Sequence, residues 1–126
     1  MRLLLMLAAC VAIASGQETE TNMSCVERLQ MPLYPRLAQH AGISGQVTVR
    51  VSISTDSAVN MESDGPHMLV PYVERALRAS TFRKTCGGKV VQLVFNFDFD
   101  EDPYKAVSFR YPNEFFITVP HAPVNP

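Results

Sequence analysis

The chain has 126 residues, of which 47% are hydrophobic and 18% charged, and its formal net charge is −1. That length holds one small hydrophobic core with trimming at each end, and leaves no room for a second independent one. The near-neutral charge argues against a nucleic-acid partner held by phosphate neutralisation.

In chain order, Met1-Arg2 followed by the short apolar run Leu3 to Ala14 reads as a secretory signal peptide over residues 1–16. The run is well short of the ~20 residues needed to cross a bilayer. Cleavage after Gly16 leaves Gln17 as the mature terminus, and Ala14 also fits as the cleavage point. The competing reading is a lipobox, Leu7-Ala8-Ala9 before Cys10, in which Cys10 carries a lipid. Loss of residues 1–16 removes one Arg and no acid, moving the charge from −1 to −2. Either reading exports the chain to a periplasmic or extracellular compartment, where disulfides persist. There Cys25 and Cys86 form an even pair without Cys-x-x-Cys spacing, which points to a structural disulfide. Closing a loop of this length stabilises a fold by about 4 kcal/mol in the chain-entropy treatment, less any strain.

Residues 17–30 form a polar leader whose first part, Gln17 to Ser24, has no core-facing pattern. The domain proper runs over 31–99. Pro35 opens a short helix that Gly42 ends, with Tyr34, Leu37, Ala38 and Ala41 as its apolar side. Gly45 to Ser54 follows as the clearest strand of the chain. Val47, Val49, Val51 and Ile53 alternate with Thr48, Arg50 and Ser52, giving one dry face. Thr55-Asp56-Ser57 turns the chain into a weaker strand, Ala58 to Ser63, with Val59 and Met61 inward. Asp64-Gly65-Pro66 breaks the pattern, and helical spacing resumes from Leu69 to Ser80. Leu69, Val73, Ala76, Leu77 and Ser80 share one side of that helix, and Pro71 sits in its first turn. Phe82 is the buried residue of the connector. Val91, Leu93, Phe95, Phe97 and Phe99 then alternate through a long strand that ends in acidic residues, Asp98 to Asp102. Residues 100–126 are an extension in which Val107–Tyr111 and Phe115–Val119 suggest a further hairpin, ahead of a proline-spaced tail.

No set of residues carries catalysis. His40, His67 and His121 share no metal-ligand spacing with each other or with the cysteines. The chain has no Gly-x-Ser-x-Gly elbow, phosphate-cradling glycine loop or His-Glu-x-x-His helix. The acids after Phe97 lack the ligand spacing and glycine of a calcium loop. The expectation is a binding or structural protein with no enzymatic activity, cofactor or metal.

Tyr34-Pro35, Ala38, Gly42-x-x-Gly45, the valines from Val47, Ser63-Asp64-Gly65, the helix from Leu69 to Ala79, Phe82 and the strand from Val91 to Phe99 occur in an order that resembles the C-terminal domain of TonB energy transducers. The resemblance implies an α+β fold, a three-stranded antiparallel sheet carrying two helices on one face. It puts Gly45–Ser54 in the middle and the last strand near an edge, with the extra hairpin added after it. It also implies a periplasmic domain that works in transmembrane transport by binding extended peptides of outer-membrane receptors beside the last strand, by β-augmentation. Carried over, the docking edge is Val90, Val91, Gln92, Leu93, Val94, Phe95, Asn96 and Phe97, flanked by the segment Gln30, Met31, Pro32 and Leu33. The chain lacks the membrane helix, the long proline-rich spacer and the tryptophan usual before the Phe82 position, which is Thr81 here. A stand-alone envelope protein that uses the fold for self-association, as a homodimer, is the alternative. Whether the C-terminal hairpin covers the last strand is the point on which the two readings turn.

Overall fold

A computed structural model describes residues 19–20, 23–56, 58–102 and 106–121. The signal segment, Cys10 and the end of the tail lie outside the described residues. The fold is α+β with two α-helices and a mixed sheet. Strands are numbered here as β1 (Thr19–Glu20), β2 (Val26–Arg28), β3 (Gly45–Ile53), β4 (Val59–Asp64), β5 (Thr81–Phe82), β6 (Val90–Phe99), β7 (Val107–Arg110) and β8 (Glu114–Val119). The helices are α1 (Arg36–His40) and α2 (Val70–Arg78).

The spine is β3, held between antiparallel β4 and β6. Val47, Val49 and Val51 are fully buried and Ile53 nearly so, the outcome their alternation requires. Across the register, Val47 faces Phe95, Val49 faces Leu93 and Val51 faces Val91, so the dry faces of the two strands form one surface. Leu69, Val73 and Leu77 press onto it from α2 and are also fully buried. Each such side chain contributes about 1.5–3 kcal/mol of apolar burial. The break before α2 depends on Gly65, whose φ is +154° and where an added Cβ would lie 2.7 Å from the Gln46 carbonyl oxygen. A side chain there would push the chain off β3.

Below α2, Ser80 Oγ donates to the Ala76 carbonyl at 2.8 Å and accepts from the Gln30 backbone N–H at 2.9 Å, fixing the segment before α1 to the helix end. The Cys25–Cys86 disulfide joins the small β2–β5 sheet to the turn before β6, with both cysteines buried and their Cα atoms 5.8 Å apart.

Several expectations need correction. The sheet is not three-stranded: five strands run in the order β4-β3-β6-β8-β7, and β1 also pairs with β6. β6 is therefore an interior strand. The two residues of β1 lie parallel to Val90 and Val91, and Glu20 pairs with Lys89 at 3.3 Å, so the polar leader contributes backbone pairing where no apolar pattern announced it. The hairpin joins the sheet with its second strand inward. β8 lies parallel to β6, and β7 is outermost. The physical reason is length and apolar content: β8 brings Phe115 and Ile117 to the core at 6% and 4% exposure, whereas all four residues of the shorter β7 are exposed. In α1 only Ala38 is buried; Leu37 is 71% exposed and Ala41 is exposed too. Tyr34, expected on the same helical side, is buried from the preceding extended segment, against Phe97 and Phe99.

Candidate functional site

Among the described residues, the sheet edges carry the unpaired strand N–H and C=O groups, with the side chains beside them shaping the surface. The outer edge of β6 is in use along its length. Val90 and Val91 pair with β1, and Val94 to Phe99 pair with Glu114 to Val119 of β8. Asn113 fills the step between them: its backbone carbonyl accepts from the Val94 N–H at 3.1 Å, and its side-chain Nδ2 donates to the Gln92 carbonyl at 2.7 Å. Val91, Leu93, Phe95 and Phe97 point into the core and are at most 2% exposed, while Asn96 donates to the Phe115 carbonyl and accepts from Gln46 on the polar face. Gln30 and Met31 are brought to a different place, a groove beside α2 shared with Leu33, Tyr72 and Arg75. None of the residues 90–97 lines that groove.

The sheet path ends on β4 at one side and β7 at the other. The Thr118 N–H donates to the Ala106 carbonyl at 2.9 Å. By antiparallel alternation, Ser108 and Arg110 then also bond inward, and the N–H and C=O groups of Val107 and Phe109 face away from the sheet. Both side chains stand on the core side and are 54% and 50% exposed. The β4 edge differs. Its outward backbone belongs to Val59, Met61 and Ser63, its exposed side chains include Glu62 and Asp64, and α2 packs beside it. Charge of one sign protects such an edge; exposed valine and phenylalanine do not.

Next to β7 the core face has a groove of ≈ 580 Å³, walled by Leu33, Pro35 and Arg36 on one side and by Val107 and Ile117 on the other. Tyr34 forms its inner end. Its hydroxyl donates to the Ile43 carbonyl, and burial, helped by Asp98, pushes its pKa up to about 12. Beyond Phe99, His121 stacks on that ring at 4.8 Å between centroids and joins Glu101, holding the Glu101 carboxyl below its usual range at the exposed end of β8. Among the described residues no three His, Cys, Asp or Glu side chains converge as metal ligands.

Val107, Phe109 and Arg36 were not among the residues expected to form a site, whereas Leu33 belongs to the segment expected to flank it and lines both grooves. The alternation of Val107 and Phe109 was visible in the sequence, but which strand of the hairpin would lie outermost was not.

The fold is a two-helix α+β sheet domain with an open edge at β7 and an apolar groove beside it. Residues 30–100 match the family described as Gram-negative bacterial TonB protein C-terminal, and the chain belongs to that family. It is a family of periplasmic interaction domains of the energy-transducer type, without known catalysis. No curated protein and no solved structure gives a significant match. No helix among the described residues is long and apolar enough to cross a membrane.

Proposed function

We propose that this chain is an exported, periplasmic binding domain that takes an extended segment of an envelope protein, such as an outer-membrane receptor, as an added strand. The supporting observation is the outer edge of β7, where Val107 and Phe109 turn their N–H and C=O groups outward beside half-exposed apolar side chains.

The edge first expected to dock peptide, Val90 to Phe97, is a costlier place. A peptide there must displace β8 and take Phe115 and Ile117 out of the core, at about 2–3 kcal/mol each. A total near 5 kcal/mol weakens the apparent affinity by roughly 10³–10⁴-fold. The β7 edge requires no such displacement.

The test is a titration with receptor-derived extended peptides. Phe109→Pro removes one outward donor and no internal hydrogen bond, and is expected to weaken binding about ten-fold or more. Met61→Pro makes the same change on the β4 edge and is expected to have no effect. Equal binding by wild type and Phe109→Pro would overturn the reading.

Self-association through the same edge is a second reading, supported by its symmetry. An antiparallel copy centred on Ser108 sets Val107 opposite Phe109 twice, with no like charges facing each other. A concentration series by light scattering decides it: a dimer lost in Phe109→Pro favours this reading, and a monomer throughout removes it.

A further inference from the structure

We infer that the outward face of α1, with the segment just before it, is a contact surface for an anionic phospholipid bilayer. This contact is independent of strand addition at the β7 edge. Leu33 and Leu37, four residues apart, are 80% and 71% exposed. Their exposure is set by the fold. Ala38 is fully buried, the Ile43 N–H donates to its carbonyl at 2.9 Å, the Gln39 side chain donates to the Tyr34 carbonyl at 3.0 Å, and the Tyr34 hydroxyl donates to the Ile43 carbonyl. With α1 pinned by these contacts, Leu37 has to stand on the solvent side. Leu33 borders both the groove beside α2 and the groove beside β7, so it caps the ridge between them. An apolar knob on a ridge makes no pocket for a partner, but it can sink into a medium that closes round it.

The ridge is also cationic. From Leu29 to Val49 the chain has no acidic residue. Arg36 lines one groove and Arg75 the other, no carboxylate lines either, and neither arginine pairs with an acid among the described residues. The Arg75 guanidinium lies over the exposed Tyr72 ring, 5.6 Å from its centre. Leucines standing out beside a rim of arginine and tyrosine suit a bilayer surface: the leucines enter the acyl boundary, the cations meet phosphates and the tyrosine sits at headgroup level. A second copy fits less well, because a face-to-face pair sets cations against cations. No helix among the described residues is long and apolar enough to cross the bilayer, so the contact proposed is one that lies on it. Export, as proposed above, brings the chain to such a surface.

The test uses the full chain and phosphatidylcholine vesicles with and without about 30% phosphatidylglycerol. The chain has no tryptophan, so Leu37→Trp supplies a single reporter. Its emission is expected to shift to the blue, and to be quenched by brominated lipid, on the anionic vesicles only. Asn60→Trp, exposed on the polar face of the sheet, is expected to do neither. In co-sedimentation, Leu33→Ser and Leu37→Ser are each expected to weaken binding to anionic vesicles about ten-fold. Arg36→Gln and Arg75→Gln are expected to weaken it about five-fold each. Phe109→Pro is expected to leave vesicle binding unchanged, which separates this contact from strand addition. Leucine variants that bind like wild type overturn the inference, because the apolar run at 3–14 or another surface then holds the vesicle. Equal binding to neutral vesicles overturns it too. So does a Leu37→Trp emission that shifts to the blue with rising protein concentration and no lipid, which assigns the ridge to a second copy.

Discussion

β6 and β7 present the same pattern to the core side of the sheet, apolar residues at every second position, and differ in what stands beside them. β6 has β3 along one edge and β8, Asn113 and β1 along the other, so its apolar residues are buried and its backbone is paired. β7 has a neighbour on one edge only, and its Val107 and Phe109 remain half exposed. A period of two therefore identifies a strand with a dry face but not an edge. Edge status is decided by which other segment arrives, and here a C-terminal extension moves the open edge two strands outward.

Substitutions that probe this contrast fall in a clear order of size. Phe95→Ala empties a fully buried site stacked on Phe115 at 5.3 Å between centroids, and is expected to cost about 3–5 kcal/mol in a urea melt. The same truncation at Phe109, half exposed at the open edge, is expected to cost less than about 1 kcal/mol; comparable losses at the two sites would mean that β7 is buried. Reduction of Cys25–Cys86, which closes a separation of 61 residues, is expected to lower stability by about 4 kcal/mol. Calorimetry with and without reductant reads this, and an unchanged melting temperature would remove the bond from the fold's support. Asn113→Ala leaves the Gln92 carbonyl without its donor at the step between β1 and β8, with an expected cost of about 1–2 kcal/mol. Its signature is faster amide exchange at Val94 with Phe95 packing kept. The smallest effect is on alkaline pH. Because the Tyr34 pKa is raised to about 12 from 10.0, its contribution to stability is complete below pH 10 and is lost as pH climbs toward 12. Tyr34→Phe is expected to flatten the stability curve in that window, and a slope equal to wild type would mean that Tyr34 titrates normally.

Much of the fold was legible because it is local. The alternation from Val47 to Ile53, the helical spacing from Leu69 to Leu77, the Asp64-Gly65-Pro66 break and the alternation from Val91 to Phe99 each reflect one element meeting one buried face. The hairpin of β7 and β8 was legible for the same reason. Its insertion was not, since parallel pairing of β8 with β6 joins segments whose intervening strand ends up outside both, and nothing in residues 114–119 encodes that choice alone. Nor does composition reveal β1, where pairing is carried by the backbone of Thr19 and Glu20. Leu37 shows the converse failure: its spacing from Tyr34 and Ala38 fits an apolar helical side, but α1 has only five residues, too short to turn that whole side onto the sheet. The expected docking strand was therefore identified correctly as an element, while the residues at the open edge, Val107 and Phe109, became visible only once the strand order was known.

The most direct measurement is residue-resolved amide hydrogen exchange of the free chain, comparing Val94 on β6 with Val107 and Phe109 on β7. With the β6 edge sealed and the β7 edge open, Val94 exchanges slowly, near the rate set by global unfolding, and Val107 and Phe109 exchange at least about a hundred-fold faster. Val94 exchanging as fast as Phe109 would mean that β8 leaves β6 readily and that the docking edge is the inner strand after all.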